Sequence, residues 1–312
     1  MSGPQFDDLF VFHGARGEYF LEPMVEEFRK RALNCIEVVG GKTDVAKSLD
    51  KVLPHDGRVI LITSAHIMHD GPSYEDLVGS AGCLSPIQVQ ALTQPVLTVY
   101  VPHDISTPFL VEEMFYIHHI DLYLAATEAE LMLRRKVDVE LVGWIKRLNP
   151  SEPPFENRGR ALWLTMGMEI GVHRSGVAAK IEAMSPHIRD WCDIKLGPNS
   201  VVDELEEQLR ALGANVIDKY QSAADLVPHY DIIVSNGSSS VVREAAMMGK
   251  RVYILTHRSI FRSRNQWYQY ADLPNIQFIK SMDDIPEQNI DLPPRLLAFD
   301  MRRAIDAIFE RL

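Results

Sequence analysis

The sequence predicts a parallel α/β protein of two domains. Three observations carry that prediction: short β-rich apolar runs alternate with helical stretches almost throughout, one proline-rich break interrupts the alternation near the middle, and the length suits two cores. The 312 residues exceed one ordinary domain and fit two of about 150 residues each. Strands followed by helices, over and over, are the pattern of parallel sheets with crossover helices.

In the first half the apolar runs place strands at 9–13, 35–39, 59–63, 95–101, 122–125 and 139–142. Helices are expected at 22–32, 108–118 and 128–136. "KRLNPSEPPFENRGR", residues 146–160, has three prolines among mostly polar residues and reads as a linker. The alternation then restarts, with strands at 161–166, 191–195, 215–217, 231–234, 252–255 and 276–279 and helices at 176–184, 200–212, 239–248 and 294–312. The boundaries that follow are 1–150 for the first domain and 151–312 for the second. Two Rossmann-like domains facing each other across a cleft are expected, with ligands at the carboxyl ends of the strands.

Composition excludes several classes. The formal net charge is −11, from 32 basic and 43 acidic residues, which argues against a nucleic-acid surface. No apolar run reaches the roughly 18 residues of a membrane span. The N-terminal MSGPQFDDLF has two acids and no basic segment, so no signal peptide is expected. Cys35, Cys83 and Cys192 are far apart without metal spacing, the usage of a reducing cytoplasm. His66, His69 and Asp70 in "HIMHD" lack evident further ligands, and no metal or cofactor is expected.

The most informative stretch is "SNGSSSVVREAAMMGKRV", residues 235–252, which follows the apolar run ending at Val234. Ser238, Ser239 or Ser240 can cap a helix whose first N–H groups suit a diphosphate. Gly237 permits close backbone approach. Glu244 lies one turn beyond Ser240 on the same face, placed to accept hydrogen bonds from ribose hydroxyls. The alternative is that the serines only cap a helix and Glu244 is a solvated acid.

Elsewhere, His103 follows the strand at 95–101 and is the first choice of base, with Asp104 as its support or as a competing base. "FHGARGEYF", residues 12–20, offers His13 as an alternative base and Arg16 as a contact to an acceptor or transferred group. Its glycines do not make a dinucleotide fingerprint, because Gly40 and Gly41 occupy the next strand's end instead of an acid. Arg174 and Lys195 follow strands of the second domain as candidate cations for a leaving phosphate. "THRSIFRSRNQW", residues 256–267, brings His257 and Arg258, with Arg262 and Arg264, to another strand end, where they could hold donor phosphates or an anionic acceptor.

The segment "DIIVSNGSSSVVREAAMMGKRVYIL" resembles the nucleotide-binding segment of GT-B glycosyltransferases. It is similar in particular to the CDP-glycerol glycerophosphotransferase-like group. "DIKLGPNS", "ELVGWIKRLNP" and "VYVPHDIST" match that group's other markers in the right order, so the resemblance spans most of the chain. The chain departs from the group at Gly197, where the group has histidine, at Asp104, where it has glycine, and at Asn236–Gly237, where it has Asp-Tyr.

The resemblance implies a metal-independent cytoplasmic transferase. A sugar or polyol phosphate would pass from a nucleotide-activated donor, UDP- or CDP-linked, to an acceptor hydroxyl on a glycan, a lipid-linked molecule or a small molecule. A nucleic-acid acceptor is disfavoured by the charge, and a homo-oligomer is left open. The rivals are a nucleotide-sugar 2-epimerase, which would recruit Asp104 and Glu169, and a non-catalytic nucleotide-sugar-binding protein.

Overall fold

The structure is a computed structural model that describes residues 7–14, 21–39, 56–64, 66–67, 83–84, 96–102, 119–145, 161–165, 181–182, 184–197, 203–236, 240–256, 273–286 and 297–312. The chain divides into two compact units: unit 1 is Met1–Lys146 with Leu297–Leu312, and unit 2 is Arg147–Leu296.

Unit 1 is built on a six-stranded parallel sheet of β1 (Leu9–Gly14), β2 (Asn34–Val39), β3 (Val59–Thr63), β6 (Leu97–Tyr100), β7 (Leu122–Ala125) and β8 (Asp138–Leu141). Its spatial order is β2-β1-β3-β6-β7-β8. Two short paired strands, β4 (His66–Ile67) and β5 (Cys83–Leu84), lie outside this sheet. Strands β3, β6 and β7 are buried along their whole length, as strands covered on both faces must be. The edge strand β8 is only partly buried.

Helix α1 (Glu22–Lys30) has a proline in its first turn and buries Met24, Val25 and Phe28. The Phe28 ring meets Phe10 edge-on at 4.9 Å and Phe12 at 5.3 Å between centroids. Residues 128–135, expected as an α-helix, form a 3-10 helix instead. Glu130, fully buried, accepts from the N–H groups of Ala126 (2.7 Å) and Thr127 (2.9 Å) and from the Tyr123 hydroxyl (2.8 Å). That carboxylate satisfies donors left open at the helix start and binds the turn tightly to the end of β7.

Unit 2 repeats the plan with β9 (Ala161–Leu164), β10 (Cys192–Lys195), β11 (Asn215–Ile217), β12 (Ile232–Ser235), β13 (Arg251–Leu255) and β14 (Ile276–Ile279). Their order is β11-β10-β9-β12-β13-β14, and every pairing is parallel. Counted within the unit this is 3-2-1-4-5-6, the Rossmann order. Helices α2 (Asp203–Ala211), α3 (Ala223–Leu226) and α4 (Ser240–Met247) belong to this unit. Trp163, Ile194, Leu196, Leu205, Leu209, Val216 and Val234 form its apolar core.

The carboxylate of Asp193, buried among these strands, accepts from Asn215 Nδ2 (2.6 Å) and the Tyr230 hydroxyl (2.7 Å). Helix α4 ends on Gly249 at φ +84°. The Gly249 and Lys250 N–H groups donate to Ala246 and Ala245 carbonyls at 3.0 Å each, the glycine-terminated pattern expected there.

The C-terminal segment corrects the sequence division. Helix α5 (Met301–Phe309) was assigned to the second domain, but it groups with unit 1. Its Ala304, Ile305, Ala307 and Ile308 are buried, and Phe309 packs against Phe28 at 5.8 Å. The backbone is stitched as well: Trp144 N–H donates to Leu297 O (3.0 Å) and Asp300 N–H to Val142 O (2.6 Å). Arg58 grips both Asp8 oxygens (2.7 and 2.8 Å) and donates to the Leu312 carbonyl. A terminal helix packing back across the linker, as the resemblance implies, agrees with this grouping, whereas the boundary of 151–312 for the second domain does not.

The linker at 146–160 and the helix expected at 108–118 lie outside the described residues. Of the helix expected at 176–184, residues 181, 182 and 184 are helical.

Candidate functional site

In an open parallel sheet, adjacent crossovers leave opposite faces at one point, and the crevice there is where ligands sit. Unit 2 has its switch point between β9 and β12, and unit 1 between β1 and β3. Both carry buried polar side chains at the strand ends.

At the unit 2 switch point, Ser235 of β12 stands opposite Leu164 of β9. One residue beyond come Asn236 and Thr165, exposed by 2% and 0%. Thr165 donates both its N–H (3.2 Å) and its hydroxyl (3.3 Å) to the Lys195 carbonyl, which ties β9 to β10. Asn236 differs: neither Nδ2 nor Oδ1 has a hydrogen-bond partner in the protein. Helix α4 begins four residues later, at Ser240, and its Arg243 and Glu244 are buried. Glu244 is therefore not the solvated acid of the bland alternative. Gly237, Ser238 and Ser239 lie outside the described residues, and of Ser240 only the backbone is described.

Lys195, a candidate cation for the leaving phosphate, has its amine engaged within the protein. It is buried, and its Nζ donates to the carbonyls of Lys219 (2.9 Å) and Leu196 (3.0 Å). These bonds brace the ends of β10 and β11. The sequence hid this because Lys219 lies on a different strand's exit loop. The next residue, Tyr220, is 76% exposed and its N–H donates to Asp218 (2.9 Å).

At the unit 1 switch point, His13 pairs in register with Thr63. Its ring is fully buried, Nδ1 lies 3.2 Å from Thr63 Oγ1, and Nε2 has no partner in the protein. Burial lowers its pKa to about 4, because the charged form loses solvation. The ring is thus neutral at physiological pH. With Nδ1–H donating to Thr63, Nε2 carries the lone pair. Ser64, also buried, donates its N–H to the His13 carbonyl at 2.9 Å and follows directly on β3.

His103, Asp104, Arg16, Arg174, His257 and Arg258 lie outside the described residues, as do Glu169, Arg262 and Arg264. Among the described residues no group of three or more potential metal ligands comes together, and no helix is long and apolar enough to cross a membrane. Asn236, Thr165 and Thr63 were not singled out as site residues from the sequence. The available signal was a polar residue directly ending an apolar strand next to a switch point.

The fold and these strand ends define a parallel α/β chain with two Rossmann-like sheets. No family model matches it, and no curated protein matches it by sequence. Solved structures do. A putative UDP-N-acetylglucosamine 2-epimerase from Listeria monocytogenes shares 11% identity over 81% of this chain and 80% of its own, with a TM-score of 0.47. The glycosyltransferase SnogD from Streptomyces nogalater shares 12% over 88% and 87%, at 0.47. The wall teichoic acid polymerase TagF shares 12% over 97% and 84%, at 0.49. At identities this low the likeness is one of fold.

Proposed function

We propose that the chain is a nucleotide-dependent transferase of the glycosyltransferase kind. In this reading unit 2 holds a nucleoside-diphosphate-linked donor. The observation that carries it is the exit of β12, where Ser235 and Asn236 run into α4 and Glu244 is buried on that helix. A buried carboxylate on such a helix supports recognition of ribose hydroxyls, and the open N–H groups at the helix start suit the diphosphate.

The chemistry follows from the residues. An acceptor O–H loses its proton to a base as the oxygen attacks the transferred group. The bond from that group to the nucleotide phosphate oxygen breaks, and the electron pair leaves on the phosphate. The N-terminus of α4 stabilises the added negative charge, an effect of roughly 0.3–1 kcal/mol for an exposed helix end and more in a dry site. Where Nδ1–H donates to Thr63 Oγ1, Nε2 of His13 is left able to accept. His103, Asp104 and His13 remain the candidates for that base, and among them His13 has a ring nitrogen without a partner in the protein.

The test is a binding panel of UDP, CDP, GDP, ADP, dTDP and CMP on wild type and Glu244→Gln, by thermal shift and calorimetry. A ligand of the folded state must raise the melting temperature. One nucleotide should bind, and the variant should bind it about tenfold more weakly, the effect of a lost hydrogen bond to a charged group. Indifference to every nucleotide at millimolar concentration would sink the reading. Binding followed by epimerisation of UDP-N-acetylglucosamine without an acceptor would replace the transferase with the epimerase, and binding without any turnover would leave a binding protein.

A further inference from the structure

We infer that Asn236 is a specificity-determining residue whose carboxamide is held dry to receive a vicinal diol of the bound donor. The inference rests on the nucleotide-donor reading above.

Asn236 is 2% exposed and directly follows the central strand β12 at the switch point of its sheet. Its Nδ2 and Oδ1 both lack a partner in the protein. Burying an amide in that state costs stability, and an apolar side chain of the same shape would avoid the cost. Other buried polar groups of unit 2 behave differently: Asp193 and Thr165 make hydrogen bonds within the protein. An asparagine left with a donor and an acceptor side by side is shaped for a ligand group that also offers both.

Two features select the diol among such groups. The carboxamide is uncharged, so it matches adjacent hydroxyls, each able to donate and accept, without burying a further charge. Asn236 also lies four residues before the start of α4, the helix end that holds the diphosphate in the proposed reading. In the proposed reading, that nearness in sequence to the phosphate-binding helix end favours the sugar units, which are bonded to the phosphates, over the nucleobase beyond the ribose. Two diols satisfy this chemistry: the 2′,3′-diol of the ribose and the hydroxyls of the transferred sugar or polyol.

The experiment compares wild type with Asn236→Leu, and with Asn236→Ser should the first variant fail to fold. Melting temperatures are measured without ligand, and affinities for UDP, 2′-deoxy-UDP, UDP-glucose, CDP, 2′-deoxy-CDP and CDP-glycerol are measured by calorimetry. Asn236→Leu should melt higher than wild type, because it removes an unpartnered amide. It should also bind the preferred intact donor about tenfold or more weakly.

If the transferred group supplies the diol, the variant loses affinity for UDP-glucose or CDP-glycerol and keeps it for the bare nucleotide. If the ribose supplies it, the bare nucleotide weakens equally and wild type already discriminates against the 2′-deoxy form. A lower melting point in Asn236→Leu would mean that protein or water satisfies the amide, and would overturn the inference. Equal affinities of wild type and variant for all six probes would also overturn it while leaving the nucleotide reading intact. Failure of wild type to bind any probe removes both.

Discussion

The buried imidazole of His13 makes stability depend on pH with a predictable sign and size. Its folded pKa, about 4, lies below the ordinary 6.5, so the unfolded chain binds the proton more tightly. Stability from this group is full above pH 6.5, declines as pH falls toward 4, and is exhausted below that. The whole difference amounts to roughly 3 kcal/mol, of which about 2 kcal/mol is already gone at pH 5. No discount for solvent screening applies, because the ring is fully buried. His13→Asn removes the titration and keeps an amide able to reach Thr63. Two compact units make a single global melt ambiguous, so unfolding in urea should be followed by pulsed hydrogen exchange in peptides covering β1 and β3. Between pH 7.5 and 5 wild type should lose about 2 kcal/mol more than the variant. Equal losses in the two proteins would show that His13 is hydrated or already charged, and would remove the basis for using it as a neutral base.

Two further predictions concern the frame around the sites. Gly143 has φ +85°, and a Cβ there would stand 2.3 Å from the Ala298 carbonyl oxygen. Gly143→Ala combines the left-handed penalty with a backbone clash and should destabilise the docking of α5 by roughly 3 kcal/mol; unchanged hydrogen-exchange protection of residues 301–312 would refute this. Lys195→Met leaves the Lys219 and Leu196 carbonyls without their donor and should lower unit 2 stability by about 2 kcal/mol, while affinity for the preferred nucleotide changes less than threefold. The reverse result, a tenfold loss of affinity at unchanged stability, would restore the phosphate role.

Much of the frame was legible because period and composition are local signals. Parallel strands buried on both faces read as continuous apolar runs, and "VILIT" at 59–63 or "LYLA" at 122–125 can hardly be anything else. Two kinds of fact were hidden. One is which surface an amphipathic element covers: α5 shows its apolar face in Ile305 and Ile308 but not that Phe10 and Phe28 await it. The other is what a polar side chain bonds to. Lys195 at a strand end reads as a cleft cation until its amine is found on a carbonyl 24 residues away. Gly143 belongs to the same kind, since nothing in "LVGW" announces that the Ala298 backbone fills the space beside it.

Buried polar groups in this chain sort by whether the protein completes their bonds. Glu130 and Asp193 receive partners from backbone or neighbouring side chains, and replacing either would leave those donors unpaired. Such groups hold the fold. His13 keeps a ring nitrogen open and Asn236 a whole carboxamide, and each lies at the carboxyl end of a strand that flanks a switch point, His13 one residue before the end of β1 and Asn236 one beyond β12. The open Nε1 of Trp163 marks where the criterion stops: that ring lies in the apolar core of unit 2, where its large carbon surface offsets one unmade bond. That exception does not apply to Asn236, whose side chain is small and mostly polar. An apolar isostere there would be more stable and would bind nothing. That combination of position and unmet bonding is what separates a ligand contact from a structural polar residue, and it makes the melting point of Asn236→Leu as informative as its affinity.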